Sequence, residues 1–553
     1  MLAQSEVRLD TTLVDYAILA VYFVAVLGIG FAAKRYIKTS LDYFLSGRSL
    51  PAWITGLAFI SANLGALEIL GMAANGAQYG VYTVHYYWIG AVPAMVFLGI
   101  VMMPFYYGSK VRNVPEWLRL RFNKPTHLFN ALTFAFATVL IAGVNLYALA
   151  LVLKLMLGWP ILVGIVVAAA VVLAYITLGG LSSAIYNEVL QFFVILAALI
   201  PLTIVGLHDV GGWDGLKEAV TKVNPDDELF HSWEGTAPGN VDNPLGASWI
   251  PLVFGLGFVL SFSYWTTNFA EVQRALSAKS LSAARRTPLI GAYPKVFIPA
   301  VTIIPGLVAL ATIPGLGGDD PDKEYNSAIP LLMNEYLPNG MLGIALAGLL
   351  AAFMAGVAAN VSAFNTVVTY DLWEPYVAPD RDDDYYLRFG RIATVTGIVI
   401  GIGTALIASG YNNIMDYIQL LFSFFNAPLF ATFIIGMFWK RTTPWAGFSG
   451  LVAGTAGAAA AHYGNSWDII DLGSPQAAAF WGAIAAFVAD AVVTVIVSLV
   501  TQPKPVEELQ GLVYGMANPA DELTEEEKAW YRQPWLLAVG VLGLTLILSI
   551  IFI

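Results

Sequence analysis

The stretch Ser61-Ala-Asn-Leu-Gly-Ala-Leu-Glu-Ile-Leu-Gly-Met72 decides the fold, because it interrupts an apolar run over residues 51–80. That run is long enough to cross a bilayer as a helix. Its middle holds Asn63, Gly65 and Glu68. An acidic side chain is costly at membrane depth, and glycine weakens a helix that must satisfy its own backbone there. The stretch therefore predicts a helix broken in mid-membrane, with freed carbonyls and Glu68 facing a buried polar site.

The composition indicates a helical protein embedded in a lipid bilayer. Of 553 residues, 58% are apolar and only 12% are charged. The chain has no cysteine, which excludes disulfides and thiolate metal sites. A net charge of −11 argues against nucleic acid as a partner. Residues 1–12 are polar and acidic and lack a basic segment, so no cleavable signal peptide is expected.

Hydropathy predicts fourteen membrane spans, most of them longer than the roughly 20 residues that a helix needs to cross. The predicted spans are 13–33, 51–80, 83–108, 126–156, 160–178, 183–206, 249–275, 287–313, 328–371, 385–409, 412–438, 444–463, 475–500 and 533–553. The run at 328–371 is too long for one straight span, so part of it is expected to lie on the membrane surface.

The distribution of basic residues supports this count. If the N-terminus lies outside, 21 of the 27 lysines and arginines fall on the cytoplasmic side, as the positive-inside rule requires. Two long acidic loops, 207–248 and 314–327, then lie outside. The topology predicts that both termini are outside, and the plasma membrane is the expected location.

Five motifs occur in order along the chain. They are DYFLSGRSLPAW at 42–53, NVPEWLRLRF at 113–122, GGLSSAIYNEVLQ at 179–191, Tyr264-Trp265 with Asn268 and Gln273-Arg274, and DYIQ at 416–419 followed by GMFWKR at 436–441. Together they resemble the motifs of the sodium/solute symporter family, and within it the sodium–glucose cotransporters. The resemblance covers about residues 40–445.

The resemblance implies an all-α polytopic membrane protein with about fourteen transmembrane helices in one domain, 1–553. Residues 51–206 and 249–438 would form two inverted five-helix repeats, while 13–33 and 444–553 would be peripheral. The first helix of each repeat would be broken. The second broken helix would carry Gly255, Gly257 and the residues 261–264.

The resemblance also assigns side chains to a solute site and its gates. The expected solute contacts are Glu68, Tyr87, Ser261, Tyr264, Trp265, Asn268, Lys295 and Gln419; the gates are Met72 and Tyr86 outside and Tyr264 inside. An ammonium donates three hydrogen bonds, and an amide both donates and accepts, which suits hydroxyl groups. Tyr87 stands where sugar-specific members carry a glutamate, so one hydroxyl acceptor is missing, and Glu68 could replace it.

The sodium ligands implied by the resemblance are incomplete. They comprise carbonyls of Ser61, Leu64 and Ala352 and two hydroxyl side chains, whose positions hold Ala355 and Gly356. Asn360 shares that helix face, one turn further on. Glu188 matches an acidic residue near the sodium path. Sodium symport is the family default, and coupling to protons through Glu68 or Glu188, or uniport, remains open.

These observations predict a secondary transporter that moves a small polar solute, a sugar above all, by alternating access and without a chemical step. Glu68 favours a cationic solute, whereas Lys295 favours an anion or hydroxyls; the two together suit a neutral polyhydroxyl compound or a zwitterion. An amino acid, a monocarboxylate or a cationic solute is the alternative.

Two other classes of protein are less well supported by the sequence. A transporter-like receptor would need a signalling domain that the short inner loops do not provide, and no nucleophile triad or cofactor motif indicates an enzyme. Besides Na⁺, no cofactor is expected.

Overall fold

The computed structural model describes residues 9–33, 49–109, 114–225, 229–320, 322–516 and 529–552. The first part of the motif at 42–53, the acidic triplets at 226–228 and 525–527, and several predicted cytoplasmic basic residues lie outside these ranges. All candidate site residues lie within them.

The described chain is built almost entirely of helices. They are α1 (Leu13–Ala33), α2 (Ala52–Asn63), α3 (Leu67–Val84), α4 (Tyr86–Tyr107), α5 (Val114–Arg121), α6 (Lys124–Leu157), α7 (Ile161–Asp209), α8 (Gly212–Val223), α9 (Pro251–Thr267), α10 (Phe269–Leu276), α11 (Leu281–Thr312), α12 (Ala328–Tyr336), α13 (Met341–Tyr376), α14 (Asp383–Ala408), α15 (Ile414–Phe438), α16 (Pro444–Ser466), α17 (Pro475–Val500) and α18 (Pro534–Ile551). One short antiparallel hairpin pairs β1 (Thr236–Ala237) with β2 (Asn240–Val241).

Within the described residues, nine helical segments are long and apolar enough to cross a membrane. The number rises to ten if the bent pair α2–α3 is counted as one span. Shorter apolar helices over Leu13–Val26, Ile161–Ala174 and Pro251–Thr267 coincide with three further predicted spans. α16 lies at the predicted span 444–463 but is less apolar, because alanine and glycine dominate it. The count of fourteen spans and the two inverted repeats stay predictions.

The predicted break in the first stretch is present. α2 ends at Asn63, α3 begins at Leu67, and their axes differ by 60°. The N–H of Leu64 still donates to the carbonyls of Ile60 and Ser61, whereas the Gly65 N–H turns back to the Asn63 carbonyl at 2.8 Å. The break therefore leaves backbone groups at residues 64–66 that other helices must satisfy.

The residues expected in the second broken helix lie in α9, ahead of the point where this helix ends. α9 runs without interruption through Gly255, Gly257 and 261–264, and the chain leaves helical geometry only at Asn268, with φ −73° and ψ 109°. Gly255 has a different role, since a Cβ there would lie 2.4 Å from the Phe480 carbonyl oxygen. The glycine allows α17 to approach closely and does not break the helix.

The long run at 328–371 divides into two helices, and the surface position expected for part of it stays a prediction. α12 ends at Tyr336, Gly340 takes φ +86°, and α13 starts at Met341. Such a positive φ suits glycine, which has no Cβ to clash. The segment is thus a short separate helix followed by one membrane-length helix.

Both ends of the described chain lie at one end of the helix bundle, together with the predicted outer loops. The joining contacts are Leu9 N–H to the Leu155 carbonyl at 2.9 Å, Lys154 to Asp322 at 2.6 Å, Tyr336 to Asp209 at 3.0 Å, and Ser232 N–H to the Phe552 carbonyl at 3.4 Å. Which side of the membrane this end faces stays a prediction.

The same contacts show that α7 cannot be straight. A straight helix of its 49 residues would be about 74 Å long. Yet it starts at Ile161, directly after α6 ends, and finishes at Asp209, which lies at the same end of the bundle. The chain therefore reverses within α7, in agreement with two predicted spans at 160–178 and 183–206.

Candidate solute-binding site

A cavity lies against the break between α2 and α3. It is lined by residues of α2, α3, α4, α9 and α15, and its space between atoms, about 530 Å³, is partly open to the exterior. Its polar lining residues are Asn63, Glu68, Tyr86, Ser261, Tyr264, Trp265 and Gln419, and its apolar ones are Leu67, Met72, Ala91, Leu256, Leu260, Met415, Ile418 and Phe422. Five predicted solute contacts and both predicted outer-gate residues therefore face one space, which has the mixed apolar and polar lining of a small-molecule site.

Glu68 is neutralised by Lys295 from α11. The Lys295 ammonium lies 2.6 Å from Glu68 Oε1 and also donates to the side-chain oxygen of Asn63. Tyr87 donates to the other carboxylate oxygen of Glu68 at 2.9 Å. With both its oxygens paired, Glu68 avoids the cost of an isolated charge in the membrane.

Three predicted solute contacts lie outside the lining of the cavity. Lys295 is only 1% exposed, and its ammonium sits 5.0 and 5.1 Å from the ring centres of Tyr87 and Trp265, where cation–π attraction adds to the ion pair. Tyr87 is equally buried. Asn268 caps α10 by accepting from the Ala270 N–H at 3.0 Å. Direct solute contacts by these three residues stay predictions.

The predicted inner-gate residue, Tyr264, forms a hydrogen bond with Glu271, which sequence reasoning missed. The Tyr264 hydroxyl accepts from Asn63 at 3.0 Å and donates to Glu271 at 2.8 Å. Its ring packs edge-on against Trp265, with centres 5.3 Å apart. Glu271 is 2% exposed, and its second carboxylate oxygen has no partner in the described structure. An acidic residue inside the predicted span 249–275 was the signal that could have identified it.

Two lining residues keep their polar groups available. Within the described part of the chain, the side chains of Gln419 and Ser261 form no hydrogen bond, although Gln419 is only 4% exposed and Ser261 only 8%. A buried amide without a protein partner is costly unless something else pairs with it. This favours a bound polar ligand in the cavity.

The predicted outer gate belongs to a second polar network. The Tyr86 hydroxyl donates to Gln476 of α17 at 2.6 Å. Gln476 in turn donates to Asn75 at 2.6 Å and to Asp416 at 2.9 Å. Met72 lies beside Tyr86 in the cavity lining. The network joins α3, α4, α15 and α17 on one side of the cavity.

Glu188 lies away from the cavity, in a buried ion pair. Its carboxylate meets the Arg274 guanidinium at 2.5 and 3.3 Å, and neither side chain is more than 1% exposed. Arg274 also donates to the Ala270 carbonyl. A role for Glu188 in an ion or proton path stays a prediction, and what the geometry shows is a bond between α7 and α10.

The predicted sodium ligands do not form a complete set of oxygen donors. Ala355 and Gly356 of α13 offer no side-chain oxygen, and Asn360 donates its amide to the Gly356 carbonyl at 2.9 Å. The Ser61 carbonyl already accepts from Leu64. A hard cation prefers several oxygen ligands. These residues therefore do not fit a sodium ion in this arrangement.

A side chain from α6 occupies the space beside the predicted ligands. Asn145 accepts from the Ala66 N–H at 2.9 Å and donates to the Ile141 carbonyl at 3.0 Å. A Cβ on Gly356 would lie 2.2 Å from its amide oxygen. Asn145 was not among the predicted site residues; a polar residue in the middle of an apolar 34-residue helix was the available signal.

A broken membrane helix whose polar break borders a buried cavity defines the class of this protein as a membrane transporter. The particular family follows from sequence comparison. A model of the sodium:solute symporter family matches residues 43–454, and the chain belongs to this family.

Named relatives agree with this assignment, and one solved structure shares the fold. The chain is 28% identical to the sodium/glucose cotransporter of Vibrio parahaemolyticus over 473 residues, 81% of this chain and 85% of the relative. It is 30% identical to sodium/myo-inositol cotransporter 2 of Sus scrofa over 470 residues, 80% and 68% of the two chains. The solved structure of a Na⁺-coupled sialic acid symporter superposes with a TM-score of 0.75 at 18% identity, covering 89% of this chain and 99% of that one.

Proposed function

We propose that the chain is a secondary transporter that moves a small, neutral, polyhydroxyl solute, a sugar above all, by alternating access and without a chemical step. The observation that carries this proposal is the ion pair between Glu68 and Lys295 at 2.6 Å. It cancels both charges that the break and α11 bring to the cavity. Location in the plasma membrane, with both termini outside, belongs to the same proposal.

The lining residues support a neutral solute with hydroxyl groups. The amide of Gln419 and the hydroxyl of Ser261 are free to donate and accept, as sugar hydroxyls are. The rings of Tyr264 and Trp265 offer an apolar face against which a pyranose or an inositol ring can pack. The names of the relatives, which refer to glucose and myo-inositol, agree with this solute class.

The alternative solutes are an amino acid, a monocarboxylate or a cationic compound. A singly charged solute would find the charges of Glu68 and Lys295 already neutralised by each other. Desolvating a charge that stays unpaired is expensive. A zwitterion would have to open the ion pair between Glu68 and Lys295 to exchange partners. The geometry therefore favours the neutral compound.

Two coupling modes each have an observation in their favour. Sodium symport is supported by the family to which the chain belongs and by the names of its relatives. Sodium-independent transport, driven by protons or by the solute gradient alone, is supported by the missing hydroxyls at Ala355 and Gly356 and by the amide of Asn145 beside them.

Uptake into proteoliposomes tests the proposal. Labelled glucose, galactose and myo-inositol would be supplied with an inward sodium gradient, an inward proton gradient or neither. We expect uptake of at least one of them and its loss in Gln419→Ala. Gln502→Ala, which alters an exposed glutamine, is the matched control. A labelled charged solute would be supplied in parallel, and its uptake while none of the three polyhydroxyl compounds enters would overturn the proposal.

A further inference from the structure

Asn145 is a buried amide at the meeting point of three helices. It lies midway along α6, which begins after the cap at Asn123 and ends at Gly158 with φ +69°. The side chain is 2% exposed. Its oxygen accepts from the Ala66 N–H, and its nitrogen donates within α6 to Ile141. The amide thus caps the first turn of α3, where backbone N–H groups have no partner inside the helix.

Two glycines make room for this amide, one on each neighbouring element. A Cβ on Gly65, in the break, would lie 2.7 Å from Asn145 Oδ1. A Cβ on Gly356, in α13, would lie 2.2 Å from Oδ1 and 2.9 Å from Nδ2, and the position of the Gly65 Cβ is 3.5 Å from the Gly356 Cα. Real Cβ atoms do not tolerate contacts shorter than 3.0 Å, which a Cβ on either glycine would make with the Asn145 amide. Any side chain at Gly356 would therefore displace the amide.

The position of the amide matters because Gly356, one of the predicted sodium-ligand positions, lies against it. Leu64 adjoins Gly65, and Ala355 and Gly356 stand where the family resemblance expects hydroxyl ligands. Both ends of the amide already have protein partners, because the oxygen accepts from the Ala66 N–H and the N–H₂ group donates to the Ile141 carbonyl. The amide therefore fills this place as a contact within the protein, and the neighbouring positions 355 and 356 add no hydroxyl that a cation could use.

We propose that the Asn145 amide, and not a sodium ion, holds the broken helix against α13, so that solute binding at the cavity does not depend on sodium. This inference rests on the proposed transport function, because it concerns how that solute site is held together. In physical terms, a permanent hydrogen bond links α6 to the break, and the same amide packs against Gly356 of α13.

Thermal unfolding of the purified protein tests the inference without any transport assay. Measurements would compare sodium with choline at equal ionic strength. For the natural chain we expect the same Tm in both salts. The triple variant Asn145→Ala with Ala355→Ser and Gly356→Ser removes the amide and restores two hydroxyls, and we expect its Tm to rise in sodium relative to choline.

A pair of glycine variants tests the contact itself. Gly356→Ala places a Cβ onto the amide oxygen, so we expect a lower Tm, and we expect Asn145→Ala in the same chain to recover part of the loss. Gly403→Ala is the matched control, because its Cβ would meet nothing within 4 Å. If Gly356→Ala left the Tm unchanged, the contact would be refuted.

Solute binding in the two salts separates the possible failures. A coupled ion typically changes the affinity for its partner by about 5- to 150-fold, and we expect no such change for a bound polyol here. A sodium-dependent gain in affinity or Tm in the natural chain, lost in Asn145→Ala, would make Asn145 an ion ligand and overturn the inference. Failure to bind any polyol would refute the proposed function, while the salt comparison of Tm would still decide the role of Asn145.

Discussion

Breaking the ion pair at the cavity should reveal how strongly the site depends on balanced charge. Lys295→Met keeps an apolar side chain of similar length but removes the ammonium that meets Glu68 at 2.6 Å. Lys295 is 1% exposed and the Glu68 side chain 15%, so the carboxylate would remain largely buried without a cation. Removing one partner of a buried pair costs about 3–5 kcal/mol. We expect a loss of that order in the free energy of unfolding, together with loss of polyol uptake.

The double variant Glu68→Gln with Lys295→Met supplies the critical comparison. Replacing both members of a buried ion pair by neutral side chains is often nearly neutral in stability. We therefore expect the double variant to be more stable than Lys295→Met alone. The assay is thermal unfolding in detergent, followed through the tryptophan fluorescence.

The control is an ion pair on the surface. Lys222→Met breaks the pair with Glu218, whose side chains are 71% and 72% exposed, and water screens such surface pairs so that they add little to stability. Equal destabilisation by Lys222→Met and Lys295→Met, or a double variant no more stable than Lys295→Met, would refute the reasoning.

Three further substitutions test other parts of the site. Tyr264→Phe removes the hydroxyl that donates to Glu271 but keeps the ring, so we expect slower uptake with nearly unchanged solute affinity, measured as a rate and a binding constant. Glu188→Gln leaves the Arg274 guanidinium buried without its anion, and we expect a loss of about 3–5 kcal/mol in unfolding free energy. Gly306→Ala would place a Cβ 2.1 Å from a backbone oxygen of α3, and we expect little folded protein on size-exclusion chromatography.

Two of these substitutions, Tyr264→Phe and Gly306→Ala, have a control in the same chain. Tyr463→Phe changes a tyrosine that is 49% exposed and should leave uptake unaltered. Gly403→Ala should yield normal amounts of folded protein. If Tyr264→Phe transported at the natural rate, the hydroxyl contact with Glu271 would have no part in gating. Normal stability of Glu188→Gln or normal folding of Gly306→Ala would contradict the packing described above.

The local pattern of residues predicted much of the architecture. The glycine and the acidic residue in the run over 51–80 placed the first break correctly, since both features act on the backbone of their own helix. The second broken helix was expected to carry Gly255, which lies in an uninterrupted part of α9. A glycine is needed at this position because Phe480 of α17 approaches closely, and no local pattern reveals a contact with a residue 225 positions away.

Some residues of the candidate site were predicted from the sequence, and others became apparent only in the structure. The family motifs pointed to Glu68, Tyr264 and Gln419, and the structure brings these side chains to one cavity. They did not indicate Asn145 or Glu271, because each of these is significant only through its partners.

The sequence by itself determined that the chain is a helical membrane protein with a broken helix at residues 61–72, and it determined the family. Apolar runs, glycines and charges act over a few residues, so their effect can be read along the chain. Only the tertiary structure decided that Lys295 neutralises Glu68 and that the amide of Asn145 lies between Gly65 and Gly356. These contacts join residues far apart in sequence, and the packing of whole helices sets their distances.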